Sequence, residues 1–261
     1  MPLRESLTPS LSIVVPACNE RGRLGAMLDA YLPYFTRVYR SDFELIVVVN
    51  GSSDDTEGLA RGYAVKYPQM RVIVESRAVG KGGALMLGLK SAQGRLLGYV
   101  DADGSTPPAA FQDLAERIND AGGIIASRWL PGADVAPRQP LTRRVASRLF
   151  NLVVRILFGL RLSDTQCGAK ILRREAANRV LPHLGTTRWV FDVDLLYQLQ
   201  RHGFCIVEVP TVWHDVSGSR LNIPRALVEA SVALLRLRLL YSPLRFVVRI
   251  YDKTLGRVFK V

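Results

Sequence analysis

Between Leu11 and about Ala121 the chain changes four times from a short apolar run to a helical stretch, and this alternation leaves few folds open. Leu11–Pro16 reads as a strand, Ala17-Cys18-Asn19-Glu20 as the loop after it, and Arg21–Leu32 has the apolar spacing of a helix. Phe43–Val49 is a second strand. It runs into Asn50-Gly51-Ser52-Ser53-Asp54-Asp55-Thr56, a mixture of turn formers and helix caps, with a helix following to about Lys66. Arg71–Glu75 is a third strand, and Val79-Gly80-Lys81-Gly82-Gly83 opens a helix reaching Ser91. A fourth strand, starting at Leu96, ends on Asp101. Strands that alternate with helices in this way are the pattern of parallel pairing, so this is an α/β chain with a Rossmann-like, mostly parallel sheet flanked by helices. In such a sheet the loops at Asn19, Asn50, Gly80 and Asp101 are neighbours along one edge and form a ligand crevice.

The acidic end of the fourth strand carries the most chemistry. Side chains alternate along an extended chain, so Asp101 and Asp103 point one way and Ala102 the other. Gly104 permits a sharp turn, and Pro107 suits the start of a helix. Two carboxylates in one small site repel each other unless a cation joins them. The hard-cation reading is Mg²⁺ or Mn²⁺, held by carboxylate oxygens and a substrate diphosphate. Taken alone, the same residues read first as an acidic turn after a strand, because Asp is common in turns. Gly80-Lys81-Gly82-Gly83 adds close backbone approach, a cation and a helix start, all suited to phosphate. It lacks both the Walker and the Gly-x-Gly-x-x-Gly spacing. Beside Asp101 and Asp103 it favours a nucleoside-diphosphate site.

The 261 residues carry a formal net charge of +12, which favours anionic partners: nucleic acid, anionic lipid or a phosphorylated substrate. Cys18, Cys167 and Cys205 are scattered and show no metal spacing, consistent with a reducing, cytosolic compartment. The first ten residues do not resemble a signal peptide, and no apolar run is long enough for a classical membrane span. Two segments, Leu149–Leu162 and Ala226–Ile250, are apolar but studded with arginine, a pattern suited to lying on a membrane surface.

Further along, the helix after Pro107 is expected to reach about Ala121, with a short strand at Gly123–Ser127. Ala133–Thr142, with two more prolines, reads as a mobile loop. Arg143–Phe158 is helical, with Arg144, Arg148 and Arg155 near one face, opposite the leucines. A loop at Ser163–Ala169, short helices at Arg173–Leu181 and Asp192–Gln200, a strand at Cys205–Val209 and a loop at Thr211–Arg220 follow. The sheet-forming pattern stops near Ile223. Residues 1–222 therefore read as the catalytic domain, and 223–261 as a basic amphipathic helical segment that docks on a membrane surface, a small membrane partner or a second copy in a homodimer.

Ser12-Ile13-Val14-Val15-Pro16-Ala17-Cys18-Asn19-Glu20, Asp101-Ala102-Asp103-Gly104, Asp164-Thr165-Gln166-Cys167-Gly168-Ala169-Lys170 and Arg188-Trp189-Val190-Phe191-Asp192-Val193-Asp194-Leu195-Leu196-Tyr197 together resemble family-two glycosyltransferases of the GT-A fold. The likeness is strongest to the dolichyl-phosphate β-glucosyltransferase branch, near the dolichyl-phosphate mannose synthases. It spans about Leu11 to Asn222. The blocks at 164–170 and 188–197 are far more specific than Asp-x-Asp. Trp213 to Leu221 is similar to the family's closing Gly-Ser-Lys-Leu loop, with Arg220 where relatives have lysine.

The resemblance implies inverting transfer of a hexose from a nucleotide sugar to a polyprenyl or dolichyl phosphate at the cytoplasmic membrane face, by an enzyme associated peripherally. It implies catalytic roles for Asp101, Asp103, Gln166 and Asp192, with Asp101 and Asp103 as metal ligands. Donor nucleotide contacts fall on Pro16, Ala17, Asn19, Glu20, Asn50, Ser52, Lys81, Gly82 and the Asp101-Ala102-Asp103 turn. Acceptor-phosphate positions fall on Arg128, on one of Arg143 or Arg144, and on Arg220; for Arg143 and Arg144 a solvated helix face is an equal reading. Relatives commonly carry an acid where Val49 stands, so the base rests on Asn50, whose amide both donates and accepts. UDP-glucose is the expected donor and GDP-mannose the alternative. Asp192 and Asp194, two apart at a helix start, do not share a face. Cys167 is expected to pack rather than react, and His183, His202 and His214 are isolated. A nucleic-acid-binding domain is disfavoured, because the arginines interleave with leucine and valine rather than aromatics and acidic pairs sit in the crevice.

Overall fold

The computed structural model describes residues 8–137, 140–185, 190–214 and 223–246, and the side chains of all of these except 223–228. Its first half follows the alternation: β1 (Leu11–Ala17), α1 (Arg21–Tyr39), β2 (Phe43–Asn50), α2 (Thr56–Lys66), β3 (Met70–Glu75), α3 (Gly80–Ser91) and β4 (Leu96–Tyr99). The second half is α4 (Pro108–Arg117), β5 (Gly123–Ser127), β6 (Asp134–Ala136), α5 (Leu141–Phe158), β7 (Lys170–Arg173), α6 (Arg174–Val180), a 3₁₀ turn at Leu181–His183, α7 (Phe191–Arg201), β8 (Ile206–Pro210), β9 (Val212–His214) and α8 (Ile223–Leu240).

One seven-stranded sheet runs β3-β2-β1-β4-β7-β5-β8. β1 pairs parallel with β2 and β4, β2 with β3, and β5 with β8, while β7 runs antiparallel to both its neighbours. The chain steps outward from β1 to β2 and β3, then returns past β1 to β4. Strand order thus reverses between β1 and β4, which opens a crevice at their carboxyl ends. Both faces are covered, so the strands read as unbroken apolar runs. Leu11, Ile13, Val15 and Ala17 of β1 join a core with α1, α2 and α4, whereas Val14 joins the core formed with α3, α6 and α7.

Several sequence expectations need correction. β7 was not foreseen: four residues begun by lysine and ended by arginine have no readable period, yet they occupy the middle of the sheet. The stretch expected to be a mobile loop contains β6, which pairs in parallel with β9 inside the segment read as a second loop. α1 continues through Pro33 to Tyr39, its last turns held by Phe35, which packs against Tyr31, Tyr39, Phe43 and Phe111. β4 stops at Tyr99, so Asp101 and Asp103 lie in the turn beyond it, and α4 stops at Arg117 rather than Ala121.

α5 departs from expectation only in where its arginines sit. Its apolar stripe does not face the core: Leu141 and Ile156 are 70% and 72% exposed, and Val145, Leu149 and Leu152 are also exposed. Asn151, Val154 and Phe158 are the residues it buries. At about 100° per residue the arginines 144, 148 and 155 border this exposed stripe instead of opposing it. α8 begins at Ile223, packs beside α5 and buries Leu234 and Leu237. No helix among the described residues is long and apolar enough to cross a membrane.

Candidate active site

The donor-side residues meet at the β1–β4 reversal. Asn19 takes a left-handed backbone (φ 55°), which asparagine tolerates. Its Oδ1 accepts hydrogen bonds from the Ser53 N–H at 2.7 Å and the Asp54 N–H at 3.2 Å, and its own N–H donates to Ser52 Oγ at 3.1 Å. Asn19 and Ser52 therefore clasp the loops after β1 and β2. Pro16 and Ala17 close β1 opposite Val48 and Val49. Asn50 is buried, with its side-chain NH₂ donating to the Ala17 carbonyl at 3.3 Å. Val49 lies in the α1-side core. Glu20 is half-buried and bonded to Arg23 at 2.7 Å; burial, against that arginine and with Asp103 and Asp101, raises its carboxyl pKa.

Asp101 and Asp103 are partly exposed in the turn while Ala102 between them is buried in the core, an arrangement set by the turn and not by strand alternation. The Ser105 N–H donates to Asp103 Oδ1 at 2.9 Å. Lys81, in the first turn of α3 beside buried Gly82, sets its ammonium 2.6 Å from Asp101 Oδ1. Burial would lower the Lys81 pKa, but the Asp101, Asp192 and Asp103 carboxylates outweigh it and hold the ammonium well above its ordinary range. Gly168 packs on Asp101 from the other side: a Cβ there would lie 2.0 Å from Oδ2.

Asp192 lies deeper, at the start of α7, with its Oδ1 accepting from Lys170 Nζ and from Tyr99 Oη, each at 2.6 Å. Lys170, the first residue of β7, is fully buried and also donates to the Cys167 carbonyl at 2.5 Å. Burial opposes the charged form of Asp192, yet Lys170 and Lys81 prevail and keep its carboxyl below the usual range. Asp194 points elsewhere, as expected: it accepts from the Gly185 N–H at 2.7 Å and from Tyr241 Oη at 2.6 Å, fastening α8 to α7. Burial first, then Asp164, pushes the Cys167 thiol up to about 12, consistent with a packing role.

The segment 164–170 links this donor side to a second cleft. Asp164 is fully buried and grips Arg128 through Nε at 2.8 Å, Nη2 at 2.9 Å and the backbone N–H at 3.0 Å. Arg128 overcomes burial to keep that carboxyl depressed. The Thr165 hydroxyl donates to Asn151 Oδ1 of α5 at 2.7 Å. Gln166 Nε2 is enclosed with no partner among the described residues, which is costly unless a ligand accepts from it. Beyond Arg128 opens a cleft of about 400 Å³ lined by Arg128, Trp129, Asp134, Val135, Arg144 and Arg148. Arg128 lies over the Trp213 ring at 5.0 Å, and Arg148 over Trp129 at 4.8 Å.

The structure thus brings Pro16, Ala17, Asn19, Glu20, Asn50, Ser52, Lys81, Gly82, Asp101, Ala102, Asp103, Gln166 and Asp192 to one edge of the sheet, with Arg128 and Arg144 on the adjoining cleft. Arg143 is on the same helix but does not line that cleft. Arg220 and the Arg188-Trp189 block lie outside the described residues. Tyr99, Lys170, Gly168 and Arg148 are not among the expected site residues, although Gly168 and Lys170 stand in the 164–170 block and Arg148 reads beside Arg144 on one helix face. Asp101 and Asp103 offer hard oxygen ligands, but among the described residues no third metal-ligating side chain joins them. Two carboxylates could hold a divalent ion only if water or a bound phosphate supplied the other oxygens of its shell, a requirement that magnesium tolerates.

Comparison with known proteins gives a consistent picture. The model for "Glycosyl transferase family 2" matches residues 12–181. A dolichyl-phosphate beta-glucosyltransferase of Dictyostelium discoideum is 33% identical over 88% of this chain and 74% of its own length. The human protein of the same name is 35% identical over 91% and 77%. Among solved structures, glucosyl-3-phosphoglycerate synthase from Mycobacterium tuberculosis, in complex with UDP, superimposes with a TM-score of 0.66 at 20% identity, covering 88% of this chain and 79% of that one. The same enzyme has been solved with Mn²⁺, UDP and glucosyl-3-phosphoglycerate. These neighbours establish the GT-A fold.

Proposed function

This chain belongs to glycosyl transferase family 2, and on that premise we propose that it transfers glucose, with inversion, from UDP-glucose to a polyprenyl phosphate such as dolichyl phosphate. The observation that carries the reading is the continuity of residues 164–170. One end of that segment grips Arg128 on the arginine-lined cleft, and the other packs on Asp101 and holds Asp192 through Lys170. On this reading a site for the anionic donor and a cationic cleft for the anionic acceptor lie end to end.

In the reaction an acceptor phosphate oxygen attacks the sugar C1 while the bond from C1 to the diphosphate oxygen breaks on the opposite face, and UDP leaves. A phosphate monoester is already anionic near neutral pH, so the step needs positioning rather than a strong base. Arg128, fixed by Asp164, supplies a steady positive charge, and Arg144 and Arg148 supply guanidinium forks for the phosphate. Asp192, kept ionised by Lys170, accepts from a sugar hydroxyl, and Gln166 Nε2 donates to another. Asn50 reads the base edge, and Lys81 neutralises the diphosphate. A Mg²⁺ or Mn²⁺ ion at Asp101 and Asp103 would supply stabilisation of charge on the departing UDP.

The exposed stripe of α5 gives the acceptor a route. Leu141, Val145, Leu149, Leu152 and Ile156 would enter the headgroup boundary of a membrane, with arginines 144, 148 and 155 on anionic lipid. The cleft would then open at headgroup level, where a polyprenyl phosphate presents its charge. The segment 223–261 adds to this contact, and the enzyme sits peripherally on the cytoplasmic face.

The purified full chain, incubated with UDP-glucose, GDP-mannose and other nucleotide sugars, a short polyprenyl phosphate and Mn²⁺, tests the reading. Glucosylated lipid from UDP-glucose is expected, and lipid-linked mannose from GDP-mannose would move the assignment to the other donor. No lipid-linked sugar from any donor refutes it. Asp103→Ala should lower turnover at least about 100-fold with an unchanged melting temperature. Ile156→Glu should weaken flotation with anionic liposomes, and equal flotation would remove α5 from the membrane contact.

A further inference from the structure

Lys81 occupies an unusual position for a helix-opening residue. The amino end of a helix carries partial positive charge and disfavours a cation, and α3 has no acid in its first turn to offset one. What holds the ammonium is the crevice: Asp101 at 2.6 Å, with Asp192 and Asp103 adding to the field. Its side chain remains 38% exposed on a flexible four-carbon stem, which lets the ammonium change partner within the crevice.

Asp101 is also one of the two carboxylates that would hold a divalent ion. An ammonium and a divalent cation on the same carboxylate repel at contact distance, so both cannot keep their best positions. We infer that Lys81 is the resident counter-cation of Asp101, that a divalent ion must displace it, and that the released ammonium moves onto the diphosphate of the donor. This rests on the donor-site reading above. The metal alone finds its carboxylates already neutralised. The nucleoside diphosphate alone finds Asp101 and Asp103 facing its own negative charge, with Lys81 engaged. When both arrive, the metal takes the carboxylates and Lys81 takes a phosphate oxygen, so every charge keeps a partner. Binding of the two is then mutually dependent, and by linkage each strengthens the other by the same factor.

The experiment measures Mn²⁺ binding to the full chain by electron paramagnetic resonance of the free ion, without and with saturating UDP, and UDP binding by calorimetry. Since Mn²⁺ associates with UDP in solution, the deciding quantity is Mn²⁺ affinity in the absence of nucleotide. Wild-type protein is expected to bind Mn²⁺ weakly alone. Lys81→Gln is expected to bind it at least about tenfold more tightly alone, about 1.4 kcal/mol, while losing affinity for metal-free UDP. Lys81→Arg, which keeps the charge, should behave as wild type. If Lys81→Gln binds Mn²⁺ no more tightly than wild type while wild type still binds UDP with Mn²⁺, the displacement is refuted and the donor site stands. If wild type binds no UDP even with Mn²⁺, the donor reading falls and the inference with it.

Discussion

Lys170 and Lys81 each place an ammonium 2.6 Å from an aspartate oxygen in the same site, but in different surroundings. The Lys170–Asp192 side chains are 0% and 7% exposed, whereas those of Lys81–Asp101 are 38% and 28% exposed. Equal geometry therefore does not mean equal function. A pair shut away from water cannot exchange partners without stranding a charge, so it fixes a position. A pair at the rim of a crevice can re-form with water or a ligand, so it can take part in binding. Lys170 also lies over the Tyr99 ring at 5.5 Å, and Tyr99 donates to the same Asp192 oxygen, so two side chains that touch each other fix one carboxylate.

The contrast is tested most severely by Lys170→Met. Removing one partner of a buried pair should destabilise the fold by about 3–5 kcal/mol, read by urea unfolding. Adding Asp192→Asn should recover at least about 1 kcal/mol, because the stranded charge is gone. A single variant within about 1 kcal/mol of wild type would show that the pair is not a fixed support.

Acidification probes the same pair without mutation. Asp192 and Asp164 are both held below the ordinary carboxylate pKa, against burial, by Lys170 and Arg128. A depressed folded pKa contributes stability that is complete above the unfolded value, about 3.9. That contribution is lost as pH falls from there through the depressed folded values, at up to about 1.4 kcal/mol per pH unit and group. Unfolding free energy should be flat in these terms from pH 7 to about 5 and fall steeply below 4. Asp164→Asn should shallow that slope, and an unchanged slope would detach Asp164 from the acid response.

Gly168→Ala addresses the exposed pair. The new methyl would meet the end of the Asp101 side chain, which can move, so the fold should survive with a melting temperature near wild type. Asp101 would be pushed from its place, and displacement of about 1 Å at a reacting site can cost about 100-fold in rate. Wild-type turnover in this variant would show that Asp101 need not lie against residue 168.

These residues also show where sequence reading works. Lys81, Asp101, Asp103 and Asn19 were legible because each follows a strand in a strictly alternating chain, and the alternation alone brings strand ends together. Tyr99 and Lys170 were not, because their common partner Asp192 is 93 and 22 residues away and no local pattern records the meeting. β7 was hidden by its brevity and its terminal charges, and β6 by its length of three residues. The stripe on α5 has the same sequence whether it covers a core or lies bare, and only packing decides between them. Arg148 was visible as one arginine in a row, but its place on Trp129 depends on two segments that meet only in the fold.

The smallest expected effect separates the two lysines most directly. If Lys81 is held by exposed and exchangeable charge, Lys81→Gln should leave the unfolding free energy within about 1 kcal/mol of wild type, the range of surface pairs. Two contributions oppose each other there. The pair with Asp101 is lost, but a cation unfavourable to the amino end of α3 is also removed, worth about 0.3–1 kcal/mol. Raising salt should shrink even this difference, since exposed charges are screened over about 10 Å at 0.1 M, whereas the deficit of Lys170→Met should persist. A loss of 3 kcal/mol or more on Lys81→Gln would mean that Lys81, like Lys170, supports the fold, and the distinction between a fixed and an exchangeable lysine would collapse.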